Sequence, residues 1–86
     1  MIPLPDFHAP QVALVHAETW TGIVLTLDGR RYIGSGDVYR VFASRDEAAA
    51  YARRKVGEDP DVECVIYDET GRELDVIRPA WVKKPG

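Results

Sequence analysis

The chain has a single cysteine, a single methionine and no long apolar run. With only Cys64 available, an internal disulfide is excluded, and the composition fits a reducing, cytoplasmic compartment. No stretch approaches the ~20 apolar residues that a membrane-spanning helix needs. The opening Met1-Ile2-Pro3-Leu4-Pro5-Asp6 lacks a basic n-region and an apolar h-region, so it does not read as a secretory signal. CxxC, HxxxH and EF-hand spacings are all missing, so neither a metal nor a cofactor is expected. Internal repeats and low-complexity tracts are missing too.

What is present is 86 residues, enough for one domain. A domain of this size buries roughly 60% of the surface its unfolded chain exposes, so its stability margin is thin. The hydrophobic fraction of 45% and charged fraction of 29% are those of a globular chain and argue against disorder.

The net charge of −3 hides a strong segregation. Residues 28–57 carry seven basic and four acidic side chains. Residues 58–77 carry eight acids against Arg72 alone, a local charge of −7. Such a run repels nucleic-acid phosphates and attracts basic surfaces. It also serves plain solubility, which is the commoner use of a charge run.

Residues 1–10 hold Pro3, Pro5 and Pro10, which lack amide donors, and read as an extended lead-in. Gln11–Ala17 reads as a strand apolar on both faces. Trp20–Leu27 reads as a second strand, rich in β-branched residues. Asp28-Gly29 predicts a two-residue type I′ hairpin turn. That register places Leu27 opposite Arg30, Leu25 opposite Tyr32 and Val24 opposite Ile33. After the Gly34-Ser35-Gly36 break, Val38–Ala43 resumes strand character. Val38, Arg40 and Phe42 share one face there, and Tyr39 and Val41 the other.

Ser44 and Glu47 form a capping box. The helix is expected from about Arg45 to Val56, with Ala48, Ala52 and Val56 as a narrow apolar stripe and Gly57 just past its end. Val62–Tyr67 alternates as a strand, Asp68–Gly71 is a turn, and Leu74 and Val76 belong to a last strand ended by Pro79. The order β-β-β-α-β-β predicts a two-layer α+β domain over residues 11–79. Its antiparallel sheet has about five strands, one face is covered by the helix, and residues 80–86 form a tail. The uncovered face is expected to present Trp20, Tyr32, Tyr39, Val65 or Tyr67, an apolar patch of the kind that marks contact surfaces.

The run Val41-Phe42-Ala43-Ser44-Arg45-Asp46-Glu47-Ala48, with Ala52 and then Ile66-Tyr67-Asp68-Glu69-Thr70-Gly71-Arg72, resembles small bacterial and phage domains of unknown function. These pair a hairpin, a capped helix and a closing hairpin. The layout is similar to that of immunity proteins that neutralise bacterial toxins. The resemblance spans about residues 38–74. It implies a binding or inhibitory role and carries over no catalytic residue.

Candidate chemistry is sparse. His16 shares a strand face with Val12 and Leu14 and reads as a hydrogen-bonded, half-buried side chain. Cys64 lies between Val62 and Ile66 on an apolar face, where a thiol is inert. Gly34-Ser35-Gly36 precedes no helix and is not a phosphate cradle. The chain therefore reads as a non-catalytic binding protein rather than an enzyme. Its expected contacts are Glu63, Asp68, Glu69, Glu73 and Asp75 of the acidic hairpin, with Tyr67, Trp20 and Tyr39 as aromatic anchors. The expected partner is a larger protein with a basic surface, such as one that processes nucleic acid. The alternative is a small nucleic-acid-binding regulator using Arg30, Arg31 and Arg53-Arg54-Lys55. A homodimer through an open sheet edge or the aromatic face fits either reading.

Overall fold

The computed structural model describes residues 2–81. Five strands and one helix follow the expected order: β1 Val12–Glu18, β2 Val24–Leu25, β3 Tyr39–Phe42, α1 Arg45–Glu58, β4 Val62–Tyr67 and β5 Glu73–Ile77. The strands form one antiparallel sheet, so the chain is a small α+β fold.

β1 is the central strand. On one side it pairs with β4 over its full useful length, from Ala13↔Tyr67 to Glu18↔Val62. Its other side is shared end to end. β3 takes the first half, Val12↔Phe42 to Val15↔Tyr39, and β2 takes the second, His16↔Leu25 and Ala17↔Val24. β5 flanks β4, with a bulge at Ile66/Tyr67. A strand flanked on both edges and covered on both faces is largely apolar, and His16 is the one polar side chain among its buried residues. Accordingly Val12 to Ala17 are all buried.

The second strand is shorter than the sequence suggests. Trp20–Ile23 turns instead of pairing: Gly22 N–H donates to the Glu18 carbonyl at 2.8 Å and Glu18 N–H donates to the Ile23 carbonyl at 2.9 Å. Gly22 sits at φ +74°, which favours glycine. The following hairpin is also displaced by one residue. Gly29 N–H donates to the Thr26 carbonyl, Thr26 N–H donates to the Arg30 carbonyl, and Leu25 bridges Arg31 rather than facing Tyr32. This is a three-residue loop, with Gly29 left-handed at φ +86° in the bulge position, and not a two-residue type I′ turn. The β4–β5 turn repeats the same pattern: Gly71 N–H donates to the Asp68 carbonyl and Asp68 N–H to the Arg72 carbonyl.

The helix starts where its cap predicts. Ser44 is extended at φ −151°, and its side chain accepts from Glu47 N–H at 3.2 Å. It ends later than Val56. Gly57 is inside the helix, and Asp59 N–H closes the last turn on the Lys55 carbonyl. Pro60 then disfavours helical backbone at Asp59 and stops it.

The helix lies on the face formed by Val12, Leu14, Cys64 and Ile66, with Phe42, Leu74 and Ile77 at the margin. Ala48 and Ala52 are completely buried, and their small side chains let the helix approach the sheet closely. It packs on β1, β3, β4 and β5 but not on β2.

The second face is not bare. Val15, Val38 and Val65 form a small core roofed by Ile2, Tyr32, Tyr39 and Tyr67. Val38 thus turns away from Arg40 and Phe42, because it precedes the regular strand. The lead-in has no regular secondary structure, yet Phe7 is buried and Tyr39 Oη donates to the Ile2 carbonyl at 2.8 Å. Residues 82–86, most of the expected tail, lie outside the described residues.

Candidate binding surfaces

The five acids expected to form a free contact surface divide into two groups. Asp75 faces the helix side and accepts a two-pronged contact from Arg45, at 2.7 Å from Nε and 3.0 Å from Nη2. That guanidinium holds the Asp75 carboxyl below the usual range. Asp68 accepts from the Thr70 hydroxyl at 2.7 Å and from the amides of Thr70 and Arg72, which organises the turn and lowers its pKa. Glu63 is half-buried and lies 3.6 Å from Arg78 across the strand pair. Only Glu69 and Glu73 have neither a side-chain hydrogen bond nor an ion pair among the described residues. The hairpin's acids are thus largely structural groups, a role that local charge counting does not reveal.

The aromatic anchors also separate. Tyr39 and Tyr67 meet edge to face, with ring centroids 6.4 Å apart, on the second face of the sheet. Both are half-buried under the lead-in and the 32–38 segment, and burial raises both phenol pKa values. Trp20 is elsewhere. It stands at the tip of the β1–β2 turn and is 73% exposed.

Its exposure does not leave Trp20 loose. The indole stacks on Trp81, centroids 4.5 Å apart with planes 28° from parallel. Trp20 Nε1–H donates to Asp61 Oδ1 at 3.1 Å, and Trp81 Nε1–H donates to the Pro60 carbonyl at 2.8 Å. Thr19 N–H adds a bond to the Asp61 carbonyl at 2.8 Å. Three chain segments, at 19–20, 60–61 and 81, are thereby pinned together. Glu58, Asp59 and Asp61 flank Pro60 in sequence and have no ion-pair partner among the described residues. Trp81, 61 residues from Trp20, could not be matched to it by any sequence spacing.

The basic residues are unevenly free. Arg31 is bound to Glu18, at 3.1 Å from both Nε and Nη2, and Arg30 lies 3.7 Å from Asp28. Arg40 lies over the rings of Phe42 and Tyr51, 5.3 and 4.7 Å from their centroids. Arg53 and Arg54 are exposed, and Lys55 is half-buried. The two clusters expected to grip nucleic acid therefore do not form one patch of free cations.

Two buried groups bear on chemistry. Cys64 is fully buried, and desolvation pushes its thiol up to about 12. It is a packing residue, as its strand position indicates. His16 is 6% exposed and bonds Tyr51 Oη through Nε2 at 2.7 Å, with the rings edge to face. Its Nδ1 is buried without a hydrogen-bond partner. Burial, then Lys55 and Arg40, lower its pKa and keep it neutral at pH 7.

These features define a two-layer α+β domain with surface tryptophans and a buried histidine bonded to a half-buried tyrosine. Compared with family models, curated proteins and solved structures, the chain matches none.

Proposed function

We propose that the chain is a non-catalytic protein-binding module of inhibitor or immunity type. It docks on a larger protein with a basic surface. The observation that carries this reading is Trp20, exposed over 73% of its area yet fixed by a ring stack and an indole hydrogen bond. A large side chain held rigid before contact loses little entropy on binding, and tryptophan is enriched among residues that dominate interface energy. Asp61, which accepts the Trp20 indole N–H, supplies charge complementary to a basic partner, which raises the association rate and favours correct partners. Glu69 and Glu73 are the hairpin acids still available for a second contact.

The test is a binding measurement on a partner captured from the native host lysate and then purified. Trp20→Ala should weaken its affinity by about 30-fold, the equivalent of a 2 kcal/mol anchor. The affinity should also fall as salt rises. Glu69→Lys with Glu73→Lys reports separately on the hairpin. An affinity indifferent to Trp20→Ala and to salt rules out this docking surface.

A further inference from the structure

One cleft is not used by the surface described above. It lies beside the helix, where β2 escapes helix coverage, and has a volume of about 250 Å³. The His16–Tyr51 pair lines it, and Leu25, Leu27 and Val62 are its apolar lining residues. Lys55, Asp28 and Asp59 line it with both signs of charge.

We propose that this cleft binds a small zwitterion with an apolar side chain, in chemical class a free aliphatic amino acid. The argument begins with His16, whose neutral ring has one hydrogen on two nitrogens. If Tyr51 donated to Nε2, the hydrogen would sit on Nδ1, leaving a buried N–H without an acceptor. Orphaned N–H groups are the rarer and costlier defect, so we assign the hydrogen to Nε2, donating to Tyr51 Oη. The Tyr51 hydroxyl hydrogen is then released from the pair and is available to the cleft. Tyr51 O–H and the Lys55 ammonium together suit a carboxylate. Asp59, with Asp28 beside it already held by Thr26 and Arg30, opposes a simple anion and suits an ammonium group. Lys55 opposes a simple cation. Leu25, Leu27 and Val62 take an aliphatic side chain. The volume lies below the roughly 300–1,000 Å³ of sites for drug-sized ligands, which restricts the occupant to a small molecule.

The test is an amide-shift NMR titration of the full chain with L-leucine. 4-Methylpentanoate, which lacks the ammonium, and leucinamide, which lacks the carboxylate, are the paired probes. Saturable shifts at His16, Leu25, Thr26 and Val62 are expected with leucine, and each paired probe should bind about tenfold more weakly. Tyr51→Phe and Lys55→Gln should each lower leucine affinity about tenfold, their folds verified in the same spectra. If Tyr51→Phe fails to fold, Lys55→Gln alone carries the comparison. No saturable shift with leucine overturns the proposal, as does binding indifferent to the variants. Equal binding of 4-methylpentanoate replaces the zwitterion with a simple carboxylate and also overturns it.

Discussion

His16 should make the fold sensitive to mild acid. It is the one polar or charged side chain in the buried set of described residues, and its pKa is held below 6.5. An imidazolium there would place a second hydrogen on Nδ1, which has no acceptor, and would face Lys55 and Arg40. The unfolded chain feels none of this and takes up the proton with an ordinary pKa of about 6.5. Below that pH the unfolded state binds more protons than the native state, so stability falls as pH falls. The loss approaches about 1.4 kcal/mol per pH unit and ends once the native pKa is passed. The carboxylates of Glu18, Asp28, Asp68 and Asp75 have lowered pKa values, so their stabilisation is present above about pH 4 and is lost only on further acidification. Between about pH 6.5 and 5, His16 therefore acts largely alone and costs up to about 2 kcal/mol. Against a total of roughly 4–13 kcal/mol for a chain of this length, that is a substantial share. With a urea slope of about 1 kcal/mol/M, the midpoint should move to lower urea as the pH falls, by no more than about 2 M. Urea unfolding followed by far-UV circular dichroism at several pH values reads this directly. His16→Gln keeps a polar group of similar reach and removes the titration, so its midpoint should stay nearly flat over the window. Equal pH slopes in the two proteins would refute the reasoning.

Other perturbations have equally defined outcomes. Leu14→Ala empties the largest fully buried site and should cost about 3–5 kcal/mol in chemical denaturation, enough to leave the domain marginal. Cys64 should resist iodoacetamide at pH 8 in the native state and react at an ordinary thiol rate in urea, because its pKa is pushed up to about 12 and its surface is buried. Trp81→Ala should abolish the exciton signal of the stacked indoles and increase quenching of Trp20 by acrylamide, with the global unfolding midpoint changing little. Asp68→Ala removes three acceptor contacts from the β4–β5 turn and should speed hydrogen exchange of the Thr70 and Arg72 amides more than that of β1.

The elements that were legible in the sequence are those with local causes. The Ser44 cap, the placing of Cys64 and Ile66 on one apolar face, and the Asp68–Gly71 turn depend on residues a few positions apart, and each is found as expected. The Asp28-Gly29 register was not legible, because the same dipeptide serves a three-residue loop when glycine takes the bulge position. Helix length was misread at Gly57, since the stop signal is Pro60 acting on Asp59. The contact surface was the least legible part. Arg45 with Asp75 and Glu63 with Arg78 are 30 and 15 residues apart, and a local charge count does not pair them. The Trp20–Trp81 stack joins residues 61 positions apart.

The central position of β1 has a consequence for synthesis. β1 is made before the other strands, and β2 and β3 can complete one of its edges as soon as residue 42 is available. The partner for its other edge, β4, begins only at Val62. At about 5–20 residues per second, that edge stays unpaired for one to several seconds as the chain grows. A strand apolar on both faces with one edge open is the segment most exposed to wrong pairing. The growing chain is therefore most vulnerable between the completion of β3 and the arrival of β4.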